Sequence, residues 1–284
     1  MDILKNRYLA IHSTKHYTQI SPEEVITLWT QLKAFLGASD SSMTEIEYMS
    51  MTHMLFDLSI YVSKDVEAET IYNTFRDRFG ANSPYLFVMR ASLMQVNEGD
   101  RKAEDYLTKL LSEYLELETD IVGYPLVSKK LLAVQRKSLP REKYMAKLLD
   151  LTEKFPVDAE IWYALALEYA TLGQLEEAAY CLEEVLCISP FNYIVFAHLS
   201  ELLYYRASKD SKNREALLQQ SLNNALRSVE LSETFVKGWA FAGMTSKLLS
   251  KSKLLTLSKV KLEEITRRGN ETDKATAKKI LVHL

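Results

Sequence analysis

The feature that most constrains this chain is a spacing. Across "FPVDAEIWYALALEYATLGQLEEAAYCLEEVLCISPFN", Pro156 and Pro190 stand 34 residues apart, as do Asp158 and Asn192, Trp162 and Phe196, Leu165 and Leu199, Ala166 and Ser200, and Tyr169 and Leu203. Inside the unit, Trp162, Ala166 and Tyr169 fall at i, i+4 and i+7, and Ala178, Leu182 and Val185 repeat that pattern further on. Each set lines one face of a helix. Gly173 supplies the turn between the two helices, and Pro190, lacking an N–H, stops the second. Ala166 and Ala178 are small where paired helices must approach closely, and Trp162 fills the groove toward a neighbouring hairpin. A unit of this size cannot bury its apolar stripes alone, so the pattern has to recur along the chain.

Thirty-four residues is the tetratricopeptide period. Recurrence is visible in a degraded form. "FVKGWAFAGM" places Trp239, Ala242 and Gly243 at the offsets of Trp162, Leu165 and Ala166, and "REALLQQSLNNALRSVELSE" pairs with 193–208 after an insertion around "ASKDSKNRE". Upstream, Ser21 with Glu24 forms a capping box ahead of the stripe Val25, Leu28, Trp29, Leu32, Phe35 and Leu36. A further helix is read from Ser42 to Val62, and two more, with Pro125 near the start of the first, are divided by Pro140. Only eight Gly and six Pro occur in 284 residues, too few for the turns of an all-β chain. The expectation is an all-α, tetratricopeptide-like right-handed α-solenoid of about fourteen helices in antiparallel hairpins. Its predicted organisation is a single solenoid over 1–284: an N-terminal arm or first helix (1–20), degenerate repeats (21–154), the clearest repeats (155–250) and C-terminal capping helices (251–284).

With 47% hydrophobic and 26% charged residues and a formal charge of -3, the chain has globular composition and no overall basic character for nucleic acid. The short basic spots Lys129-Lys130, Arg267-Arg268 and Lys278-Lys279 read as solvated helix faces. Cys181 and Cys187 lie about 240° apart on one helix and cannot bridge within it; they read as small core residues in a reducing compartment. No signal-peptide pattern opens the sequence, and no uncharged apolar run approaches the ~18 residues needed to cross a bilayer. Met43, Met49, Met51 and Met54 share a helix with Ile46, Leu55, Phe56 and Leu58 and read as core. His12 and His16 sit at i, i+4 but lack further ligands nearby, so no metal is expected. His53 and His198 read as packed or solvated. There is no Gly-rich phosphate loop, G-x-S-x-G, H-E-x-x-H or Asp-Asp-x-x-Asp run, and the pairs Glu183-Glu184 and Glu263-Glu264 lie on exposed faces. Neither an enzyme nor a cofactor is expected.

Taken with "IYNTFRDRFG" upstream and "NALRSVELSETFVKGWA" downstream, the central repeat resembles subunit 2 of the endoplasmic reticulum membrane protein complex, in a fungal form, from about residue 15 onward. The resemblance implies a non-catalytic cytosolic superhelix, peripheral to the endoplasmic reticulum membrane. Such a subunit would grip cytosolic segments of membrane-embedded partners, notably subunits 3 and 5, in a hetero-oligomer that inserts tail-anchored and multi-pass proteins. Arrays of this type present the first helix of each pair to the concave face. Here the stripe beside the packing stripe comprises Tyr163, Leu167 and Ala170, then Ile194, Ala197, Glu201, Tyr204 and Tyr205, an apolar and aromatic set suited to a partner segment. The alternative role is that of a generic adaptor or regulatory subunit of a soluble enzyme or chaperone complex. A clamp for acidic chaperone tails needs Lys and Asn on this stripe, where Tyr163, Leu167, Ala197 and Glu201 stand instead.

Overall fold

A computed structural model describes residues 2–38 and 43–284. Among these residues are fifteen α-helices, one short 3-10 turn at His16–Thr18 and no strands. The helices are α1 (Asp2–Ser13), α2 (Pro22–Gly37), α3 (Glu45–Tyr61), α4 (Asp65–Phe79), α5 (Pro84–Asn97), α6 (Asp100–Glu113), α7 (Gly123–Gln135), α8 (Arg141–Lys154), α9 (Ala159–Thr171), α10 (Leu175–Ile188), α11 (Tyr193–Lys209), α12 (Arg214–Leu231), α13 (Val236–Leu248), α14 (Ser252–Arg268) and α15 (Glu271–His283). Ser42, where the sequence starts its third helix, lies outside the described residues. The chain divides into two compact units, Met1–Lys147 and Leu148–Leu284, with the boundary inside α8.

In unit 1 the helix starts follow from local chemistry. Ser21 and Glu24 close the expected capping box, and Thr44 with Glu47 closes a second. One core gathers Tyr8, Leu28, Leu32, Phe35, Met51 and Met54 from α1, α2 and α3. A second joins Phe56, Phe75, Leu86 and Met89, and a third Ala91, Leu107, Leu110 and Val127. Met51 and Met54 are buried, whereas Ile46, expected beside them, is 78% exposed; it sits in the first turn of α3, ahead of the packed part of the helix. Lys130 also departs from the solvated face the sequence assigns it. It is half-buried on α7, donates to Gln95 Oε1 at 3.0 Å, and burial lowers its pKa. Removing an ammonium from water penalises its charged form.

Unit 2 repeats one hairpin design. Asp158 and Asn192 cap α9 and α11 identically, each carboxyl or amide oxygen accepting from the second and third following N–H groups. The Trp162 indole N–H donates to the Pro156 carbonyl at 2.8 Å, and Trp239 to the Glu233 carbonyl at 2.7 Å, six residues back in both cases. Each bond staples the entering chain onto the first helix of its hairpin. Leu165, Ala166, Ala178, Leu182 and Val185 are buried, Trp162 and Tyr169 half-buried, and Pro190 lies exposed just beyond α10. Gly173 makes its turn at φ 75°. Alternate helices also touch, α11 against α13 and α13 against α15, so first helices stack on first helices. Cys181 is buried, and burial pushes its thiol up to about 12. Cys187 is exposed, not core, because α10 turns that face to solvent.

Candidate functional site

The first helices α9 and α11 of unit 2 carry the face that the sequence proposes for partner binding, and α13 packs beside α11. Tyr163 Oη and His198 Nδ1 lie 2.8 Å apart, with the two rings stacked at 5.8 Å and 15°. Burial, with the Lys237 charge adding to it, pushes His198 down to about 3, so it is a neutral imidazole at neutral pH. One helix further on, Glu201 forms an ion pair with Lys237 at 2.5 Å. The two contacts brace α9 to α11 and α11 to α13. Beside them Tyr204, Tyr205 and Phe241 form a three-ring cluster with centroid separations of 5.7, 5.7 and 6.3 Å. Such edge-on pairs are favourable beyond their buried area.

Not all of the expected stripe faces outward. Leu167 is 45% and Tyr205 47% exposed, and Tyr163, Ala170, Glu201 and Tyr204 are half-buried. Ile194 and Ala197 are 1% and 0% exposed. These two are core residues, since α11 is packed between α9 and α10 on one side and α12 and α13 on the other. Three residues that the sequence reading did not assign to the face belong beside it: His198, Lys237 and Phe241. A signal existed for the first of these, since Tyr163 to His198 is 35 residues, one repeat plus one; Glu201 to Lys237 is 36, whereas equivalent positions of α11 and α13, Phe196 and Trp239, are 43 apart, so no period marks that pair. The resulting surface is apolar at Leu167 and Tyr205, while Glu201 has its counter-ion and His198 is neutral. That chemistry suits the apolar side of a polypeptide segment, because little polar hydration is lost when it is covered. Among the described residues no group of three or more His, Cys, Asp or Glu could hold a metal ion.

Comparison with known proteins first defines the class. The C-terminal part of a TPR repeat-containing protein from Cytophaga hutchinsonii superposes with a TM-score of 0.54 at 13% identity, covering 79% of this chain and 83% of that one. A Pseudomonas aeruginosa pilF structure gives 0.52 at 11% identity, covering 78% and 92%. At such identities the likeness speaks for the fold alone, and the fold is that of a tetratricopeptide-repeat protein. None of the protein-family models matches the chain. TPR repeat protein oca3 of Schizosaccharomyces pombe is 26% identical over 251 residues, 88% of this chain and 82% of that protein. ER membrane protein complex subunit 2 of Saccharomyces cerevisiae is 44% identical over 286 residues, 99% of this chain and 98% of the relative. The chain belongs to the ER membrane protein complex subunit 2 family.

Proposed function

We propose that the chain is a non-catalytic scaffold subunit of the endoplasmic reticulum membrane protein complex, held peripherally at its cytosolic side. In this reading it supports insertion of tail-anchored and multi-pass proteins by gripping cytosolic segments of the embedded subunits, notably subunits 3 and 5. The observation that carries the reading is the 44% identity running nearly end to end through both chains. A shared fold alone would not suffice, since helical arrays serve many unrelated partners. No helix among the described residues is long and apolar enough to cross a membrane, and attachment in this scheme comes from the embedded subunits. The face around Leu167 and Tyr205 is the surface assigned to the grip.

Affinity purification of the tagged chain from detergent-solubilised membranes, before and after a high-salt wash, tests the proposal. Integral membrane subunits should co-purify and survive the wash, as an apolar interface is insensitive to screening. Recovery of soluble enzymes or chaperones alone would instead favour a general adaptor.

A further inference from the structure

Unit 2 contains 17 Lys and Arg against 18 Asp and Glu, yet residues 206–216 and 247–253 hold seven of those cations and only two of the acids. These stretches are the turns joining α11 to α12 and α13 to α14, with the helix ends that enter them. The fold lines them up along one edge. Lys209 Nζ lies 3.9 Å from where a Cβ on Gly173 would be, beside the α9–α10 turn, and Lys251 donates across to Gln219 Oε1 on α12 at 2.5 Å.

Arg206 has a counter-ion in Glu176 at 2.8 Å. The other six, Lys209, Lys212, Arg214, Lys247, Lys251 and Lys253, form no ion pair among the described residues. Lys247 donates to the His283 carbonyl at 2.8 Å, and Lys251 to an amide oxygen; neutral acceptors leave the full positive charge in place. Asp210 is engaged within its own turn, accepting from the Lys212 and Asn213 backbone N–H groups and the Asn213 side chain. Elsewhere in the unit Lys154, Arg227, Lys237, Lys261, Arg267 and Lys274 each reach a carboxylate, and the cations that reach none among the described residues, Lys259, Arg268, Lys278 and Lys279, lie on α14 and α15 outside these two turns. Beside the unpaired charges stand two exposed leucines at the ends of first helices, Leu172 (45%) and Leu248 (46%).

Gathering six like charges on one edge costs free energy through self-repulsion, which an oppositely charged surface removes. Their chemistry indicates which kind of surface. Five are lysines, compact hydrated charges on flexible stems, whereas a specific carboxylate or phosphate site favours the rigid bidentate fork of arginine. Lysines on successive turns, with leucines at the same level, match the diffuse negative potential and shallow apolar layer of a bilayer interface. We infer that this edge, formed by the α11–α12 and α13–α14 turns, rests against the headgroups of an anionic membrane. The contact needs no other chain and does not depend on the complex-subunit reading.

Co-sedimentation of the full chain with phosphatidylcholine vesicles, with and without phosphatidylserine, is the test. Binding should require phosphatidylserine and be lost between low salt and about 0.5 M salt. The triple variant Lys209→Glu, Lys212→Glu and Lys253→Glu should lower partition by about tenfold or more. A control triple, Arg268→Glu, Lys278→Glu and Lys279→Glu, changes net charge equally on other exposed positions and should retain most of the binding. Equal loss in both triples would reduce the effect to net charge and overturn the inference. So would binding that ignores lipid charge, or retention on poly-glutamate or RNA without vesicle binding. If the first triple unfolds, as judged by circular dichroism, the lipid and salt dependence of the unaltered chain decides.

Discussion

At the scale of single residues, two positions carry most of the testable physics. Gly173 has open space around it, its nearest neighbour being the end of the Lys209 side chain, but its φ of 75° lies where L side chains are strained. Substitution by valine therefore acts through the backbone rather than through a clash. Gly173→Val should destabilise the chain by about 1 kcal/mol or more, and Gly173→Asn by less, because asparagine tolerates the left-handed region; thermal unfolding of the two variants checks the order. His198 gives a pH dependence of determined sign. Its folded pKa of about 3 lies below the ordinary 6.5, so as pH falls the unfolded chain takes up the proton first. The contribution is whole above about pH 6.5, declines below it and is gone at about pH 3, which amounts to about 2 kcal/mol between pH 7 and pH 5. His16, also lowered mainly by burial, slopes the same way. Replacing His198 by glutamine, which retains an acceptor for Tyr163, should flatten the pH dependence of the unfolding midpoint without abolishing it.

At the scale of helices, α11 and α12 are tied by a buried polar pair. Ser200 Oγ donates to the Ser221 carbonyl and Ser221 Oγ to the Ser200 carbonyl, both at 2.8 Å, with Thr245 Oγ1 3.3 Å from Ser221 Oγ. Ser200 occupies the small position that Ala166 holds one repeat earlier, so the site can lose its hydroxyl without losing its shape. Each serine changed singly to alanine should cost about 1 kcal/mol, and the double variant less than the two summed, because the hydroxyls also lie 3.0 Å from each other and that contact is lost with either one, while the backbone acceptors remain. Urea unfolding of the four proteins measures the coupling. The hairpin design itself was legible in the sequence. The 34-residue spacing marks the caps at Asp158 and Asn192, the turn at Gly173 and the burial of Leu165, Ala178 and Leu182 because local geometry dictates all of these. Which face of α11 is free was not legible. A helix packed on several sides is apolar around most of its circumference, so a rotation of one residue does not separate Ile194 and Ala197, which are buried, from the groove. The brace from Tyr163 to His198 depends on a one-residue advance beyond the repeat, and that from Glu201 to Lys237 falls seven residues short of the longer repeat from α11 to α13, so a repeat length alone specifies neither.

At the scale of the whole molecule, the chain separates its chemistries within unit 2: an aromatic face with satisfied polar groups on the first helices, and an edge of unpaired lysines at the turns. On the two proposals above, the first binds by excluding water and the second by long-range charge, so salt should distinguish them. Tyr204 and Tyr205 illustrate how the aromatic face has to be probed. Tyr204 is half-buried against Phe241 and packs with the core that includes Trp239 and Ala242, whereas Tyr205 is 47% exposed. Removing Tyr204 therefore mixes folding with binding. Leu167 and Tyr205 lie on neighbouring first helices and are both exposed, and changing each to serine removes apolar area from the face while leaving the His198 and Lys237 braces untouched. The double variant Leu167→Ser and Tyr205→Ser should keep its helical circular dichroism and its unfolding midpoint within a few degrees. In the detergent purification its recovery of integral membrane subunits should fall by about tenfold or more, as expected when exposed anchors of an interface are truncated. Full recovery by a folded double variant would move the grip away from this face; a drop in helicity would show that Leu167 or Tyr205 supports the array itself.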